Sequence, residues 1–156
     1  MMVLLNRKID YSLLILCYLH HRPVGGCARA IADHFRISRP FVANILKDLC
    51  QKAFVRSQRG VKGGYVLHPG VQERTLADLM DSMDDKVRLV ECMDVSQDCC
   101  SLEAMCPIRA PILDVHLRLR SVLESVKLIE IFQRSTVSAE NVPLETSRCT
   151  VPACRT

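Results

Sequence analysis

The stretch ISRPFVANILKDL at 37–49, taken with VRSQRGVKGGYVL at 55–67, decides the fold. In the first stretch Ser38 is a good helix N-cap, and Pro40 falls in the first turn, where a missing N–H costs nothing. Phe41, Val42, Ile45, Leu46 and Leu49 then recur at helical spacing and predict a helix to about Lys52. Upstream, Cys27 to His34 reads as a short helix with Ile31 and Phe35 facing inward. Before it, Ile9, Leu13, Leu16, Cys17 and His20 mark a first helix from about Arg7 to His20, broken by Pro23, Gly25 and Gly26. Two helices joined by a tight turn, the second capped by serine, form a helix-turn-helix. The second stretch supplies two β-prone runs, 54–57 and 65–67, around a glycine-rich basic tip, a hairpin wing. The expected fold is mostly α with a small β-hairpin wing: a winged helix-turn-helix domain over 1–70, followed by a long dimerisation helix.

Each part of such a head has work to do on double-stranded DNA. The third helix enters the major groove with its N-terminal turn toward base edges. Ser38, Arg39, Pro40, Ala43 and Asn44 are the candidate contacts, asparagine suiting adenine and arginine suiting guanine. Lys47 is placed for phosphate, and Arg59 and Lys62 at the wing tip for the backbone or a narrow minor groove. The wing glycines are expected to permit a sharp turn and close approach to DNA.

Charge supports this reading. Residues 1–70 carry 11 Lys/Arg against 3 Asp/Glu, a balance of +8, whereas 71–156 carry 10 against 14, or −4. A basic front half on an acidic rear half is a nucleic-acid footprint. With no tryptophan and 4% aromatic residues, stacking on single-stranded bases is an unsuitable main task. The longest apolar run, Leu13 to Leu19, is far too short to span a bilayer. Arg7 and Lys8 follow the apolar start, the reverse of a secretion signal, so a cytosolic location with no membrane partner is expected. Nine cysteines in that compartment argue against a disulfide scaffold and for metal or redox chemistry.

In the rear half Thr75 caps a helix through Leu76, Leu79, Met80 and Met83. The segment 84–105 has no sustained period, and the region 71–106 reads as a connecting helix with a cysteine-bearing loop holding Cys92, Cys99, Cys100 and Cys106. Pro107 opens the longest helical pattern, in which Ile108, Ile112, Val115, Leu119, Val122, Val126 and Ile129 step by fours and threes. Such a seam over 107–133 is expected to pair with a second copy, and a twofold dimer suits a palindromic operator. The tail 134–156 is rich in Ser, Thr and Pro and is expected to be disordered. Cys17, Cys27 and Cys50 fall on predicted helices and read as buried structural residues, Cys149 and Cys154 as incidental. The loop thiolates have no catalytic base beside them, which suits a metal or an iron–sulfur cluster and no enzyme. Cys92, Cys100 and Cys106 are the chosen ligands, with Cys99 a spectator. Two alternatives stay open: tetrahedral zinc on the same donors, and a thiol–disulfide switch without a cluster.

RKIDYSLLILCYL at 7–19, the two stretches quoted first and CMDVSQDCCSLEAMCPIR at 92–109 resemble the Rrf-type winged-helix regulators, the IscR-, NsrR- and RirA-like group, over roughly residues 2–132. The resemblance implies an iron–sulfur cluster on the three loop cysteines, dimerisation through the long helix, and control of iron, sulfur-cluster or nitrosative-stress genes. IscR-like members complete the site with a histidine three residues past the last cysteine; Arg109 stands there, and arginine does not ligate iron. NsrR-like members use an aspartate on the first helix, and Asp10 occupies the matching place. Three thiolates and a carboxylate favour a [4Fe–4S] over a [2Fe–2S] cluster, labile because carboxylate is a hard partner for iron.

Overall fold

The first three helices form where apolar residues recur every three or four positions. In a computed structural model, which describes residues 6–58, 63–83 and 105–135, they are α1 (Arg7–His20), α2 (Ala28–Phe35) and α3 (Arg39–Gln51). Asn6 caps α1 by accepting from the Ile9 N–H at 3.0 Å. The α2–α3 turn is made by Arg36, whose left-handed backbone (φ 55°) reverses the chain. Strands β1 (Val55–Gln58) and β2 (Gly64–Leu67) pair antiparallel, with Val55 opposite Leu67 and Gln58 opposite Gly64. Gly26 adds a bridge to β2, exchanging hydrogen bonds of 2.8 and 3.0 Å with Tyr65. A Cβ on Gly64 would stand 2.8 Å from the Gly26 carbonyl oxygen. The bare backbone at Gly64 therefore serves a contact within the chain.

A single 3-10 turn (Val71–Glu73) leads into α4 (Leu76–Ser82). Thr75 and Asp78 form a reciprocal capping box, with bonds of 3.1 and 2.9 Å. The helix expected to run unbroken over 107–133 is instead two: α5 (Arg109–Ser125) and α6 (Leu128–Arg134). Val126 is extended, and Lys127 forms an isolated antiparallel bridge with Thr75. There the Leu76 N–H donates to the Val126 carbonyl at 2.9 Å, and the Leu128 N–H to the Arg74 carbonyl at 2.8 Å. These bonds satisfy the groups that a helix break exposes, so tertiary pairing overrides the periodicity. Arg120 of α5 grips Asp81 of α4 with two hydrogen bonds and Glu124 with a third, which pushes its pKa above the ordinary arginine value.

The core gathers Ile9, Leu16, Ile31, Val42, Leu46 and Phe54 of the head with Leu79 of α4 and Leu128 and Phe132 of α6. Helix α6 thus returns to α1 and closes the apolar centre of the winged head. Polar groups fasten the return. Cys17 Sγ donates to Ser135 Oγ at 2.9 Å, and Ser135 Oγ donates to the Phe132 carbonyl at 2.6 Å. With that hydroxyl proton committed, His21 Nε2 acts as donor, 3.1 Å from Ser135 Oγ and 3.3 Å from the Phe132 carbonyl. Among the described residues, no helix is long and apolar enough to cross a membrane.

Candidate functional site

Helix α3 divides into two faces. Val42, Ile45, Leu46 and Leu49 are buried, whereas Ser38, Arg39, Pro40, Ala43, Asn44 and Lys47 are all exposed. The spacing of 39, 40, 43, 44 and 47 places them along one stripe of the helix. Ser38 holds the N-cap position but makes no capping bond through its side chain. Pro40, at the second helical position, has no N–H to offer, so the Phe41 N–H is the one remaining cap donor.

Arg29, Arg36, Lys52 and Arg56 of the head are also exposed. Asp33, exposed on α2, was not singled out from sequence. Its carboxylate binds Arg39, with Nη2 3.1 Å from Oδ1 and 3.3 Å from Oδ2 and Nε 3.4 Å from Oδ1. Arg29 approaches the same carboxylate at 3.8 Å. The signal available in sequence was an acidic residue between Arg29 and Arg36 on the helix that precedes α3. Arg59 and Lys62 lie outside the described residues.

Of the four proposed metal ligands, Cys92 and Cys100 lie outside the described residues, as does Cys99. Cys106 is a free, half-buried thiol just before α5, and Asp10 is exposed in the first turn of α1, where its charge also favours the helix dipole. Nothing among the described residues groups three or more metal-binding side chains. The remaining cysteines divide. Cys17 is buried and free, its thiol pushed up by burial and partly offset by Ser135. Cys27 is buried and Cys50 half-buried against the core, as expected, but both are disulfide-bonded rather than free. Both sit at helix ends, Cys27 capping α2 and Cys50 in the last turn of α3, rather than in a helix interior.

The apolar seam is split by the fold. Ile108, capping α5, and Val115 and Val122 on it are 61%, 51% and 59% exposed and repeat every seven residues. Ile112 and Leu119 are half-buried on α5, which packs against α4, and Leu123 beside them is buried. Val126 and Ile129 are half-buried at and beyond the helix break. One flank of the seam is therefore used within the chain and the other faces outward.

A three-helix head, a two-stranded wing and an outward polar stripe on the third helix define a winged-helix DNA-binding transcription regulator. The chain matches the family model described as Rrf2, iron-dependent transcriptional regulator, over residues 5–134, and it belongs to that family. It is 24% identical over 129 residues to the HTH-type transcriptional regulator NsrR of Bacillus subtilis, covering 81% of this chain and 88% of that protein. It is 26% identical over 122 residues to NsrR of Shouchella clausii, covering 77% and 82%. Among solved structures it resembles CymR, the global cysteine regulator of B. subtilis, with TM-score 0.65, 20% identity and coverage of 86% and 99%. It also resembles T. potens IscR, with TM-score 0.62, 19% identity and coverage of 84% and 87%. These two likenesses establish the fold, and the relatives are regulators rather than enzymes.

Proposed function

We propose that this chain is a dimeric, cytosolic transcription regulator whose affinity for a palindromic operator is set by an iron–sulfur cluster. Residues 1–70 form the DNA-reading head, 71–106 the sensor connection and 107–133 the dimerising segment. Cys92, Cys100 and Cys106 hold the cluster, with Asp10 as the fourth ligand, and [4Fe–4S] is favoured over [2Fe–2S]. The observation that carries the reading is Cys106, a thiol kept free and half-buried just before the helix that bears the exposed apolar stripe. An exposed carboxylate at Asp10 fits a donor set that needs one weak, replaceable member. The cluster would supply a labile link between the head and the dimer segment, lost to nitric oxide, oxygen or iron shortage. Ile108, Ile112, Val115, Leu119, Val122, Val126 and Ile129 provide the seam, the exposed flank meeting the second copy. DNA contacts come from Ser38, Arg39, Pro40, Ala43, Asn44 and Lys47, and from Arg59 and Lys62 of the wing tip.

Gel shifts without air test the coupling, using a duplex that the protein itself selects from a randomised pool. Cluster-loaded and apo protein are expected to differ in affinity about 10-fold or more, a coupling of 1–3 kcal/mol being typical. Equal affinities would overturn it. One observation favours a second reading: disulfides at Cys27 and Cys50 mark both helices of the helix-turn-helix as thiol-sensitive. If that chemistry controls binding, a reductant titration of cluster-free protein shifts operator affinity, and iron has no effect.

A further inference from the structure

Arginine presents five N–H donors on two edges, one formed by Nε and Nη2 and the other by Nη1 and Nη2. In Arg39 the first edge is occupied, because Nε and Nη2 both point at the Asp33 carboxylate, at 3.4 Å and at 3.1 and 3.3 Å. We propose that Asp33 is a specificity-determining positioning residue, which holds Arg39 by one edge so that the other meets a single guanine. This rests on the reading of Arg39 as a base contact. The Nη1/Nη2 edge left over matches the paired O6 and N7 acceptors of guanine in the major groove.

Three features support a role in recognition over a role in folding. The two side chains are 55% and 50% exposed, and such surface pairs add little stability. Helices α2 and α3 are already joined by the buried Ile31, Val42 and Ile45. Arg39 is also the first residue of α3, the part of a recognition helix nearest the base edges, where a long unrestrained side chain would sample many contacts. Asp33 places a negative charge beside Arg29 and Arg39, which weakens attraction to any phosphate backbone. The pair thus gives up general grip in exchange for discrimination, a repulsive element used for specificity.

The test uses full-length protein and a duplex that the wild type selects from a randomised pool. Affinities are measured at one salt concentration for that duplex, for single base-pair substitutions of it, and for an unrelated duplex. Arg39→Ala is expected to erase discrimination at one base pair per half-site. Asp33→Ala is expected to lower discrimination at that same pair about 10-fold, with affinity for the unrelated duplex unchanged or raised. Asp33→Glu should restore part of it, and the double variant should be no worse than Arg39→Ala alone. Thermal midpoints should match the wild type. A uniform loss across all duplexes, an unchanged profile in Asp33→Ala, or additive effects in the double variant overturn the inference while DNA reading stands. A wild type that selects no sequence defeats the proposed function itself, and this inference with it.

Discussion

Phe132 lies 78 residues after Phe54 in sequence, yet both are fully buried in one apolar cluster. Its ring packs at 5.1 Å and 31° against His20 of α1. If α6 closes the head, Phe132→Ala removes a fully buried aromatic ring and leaves a cavity between α1 and α6. Such truncations cost about 3–5 kcal/mol. For a chain of this size each kcal/mol moves the thermal midpoint roughly 2–4 °C, so a fall of about 6–20 °C is expected. Urea unfolding followed by circular dichroism reads the change, and the loss should appear in the transition of the whole head rather than in a small early phase. Val122→Ala provides the contrast. At 59% exposure it should cost about 0.5 kcal/mol or less within one chain, and should instead alter the concentration dependence of any dimer. A Phe132→Ala loss under about 1 kcal/mol, far below a normal cavity cost, would show that α6 is an appendage and refute the packing argument.

Further tests address the backbone, the titrating groups and the α4–α5 clasp. Ala53 holds a left-handed backbone (φ 56°) between α3 and β1, so Ala53→Gly should stabilise by about 0.5–1 kcal/mol, read from the urea midpoint; a loss would contradict it. His20 is held below its ordinary pKa by burial and then by His21. The unfolded chain therefore takes the proton first as pH falls through about 6.5, and stability declines from pH 7 toward 5. His34, held low by burial and by Arg22, adds the same sign, so His20→Gln should flatten only part of the slope; an unchanged slope would refute the burial argument. Arg120→Ala should cost about 1–2 kcal/mol after allowance for its third exposure to water. Arg120→Lys should recover less than half, because lysine cannot grip Asp81 with two parallel bonds; equality with wild type would argue against the bidentate geometry.

The head was legible because its signals are local. Periodic apolar residues set α1, Ser38 and Pro40 set the start of α3, and glycine-bounded β-prone runs set the wing, all close to where they stand in the structure. The break at Val126 was not legible, since no glycine or proline marks it and the apolar rhythm of Leu119, Val122, Val126 and Ile129 passes straight through. Its cause is the pairing of 126–128 with 74–76, some fifty residues away. The same kind of distance hid the return of Phe132 and Ser135 to α1. On the outward stripe of α3, exposure of 38, 39, 40, 43, 44 and 47 follows from helical spacing, whereas the Asp33–Arg39 grip depends on how α2 crosses α3. Disulfides at Cys27 and Cys50 were equally hidden, because burial on a predicted helix and pairing of a helix-end sulfur look alike in sequence.

Iron and inorganic sulfide per chain, measured with the visible spectrum on protein purified without air, test the central claim most directly. The account predicts brown wild-type protein with about four of each per chain, and a Cys106→Ala variant that keeps its fold but loses colour, iron and operator control together. Colourless wild-type protein lacking iron and sulfide even after reconstitution, still binding its operator, would contradict it.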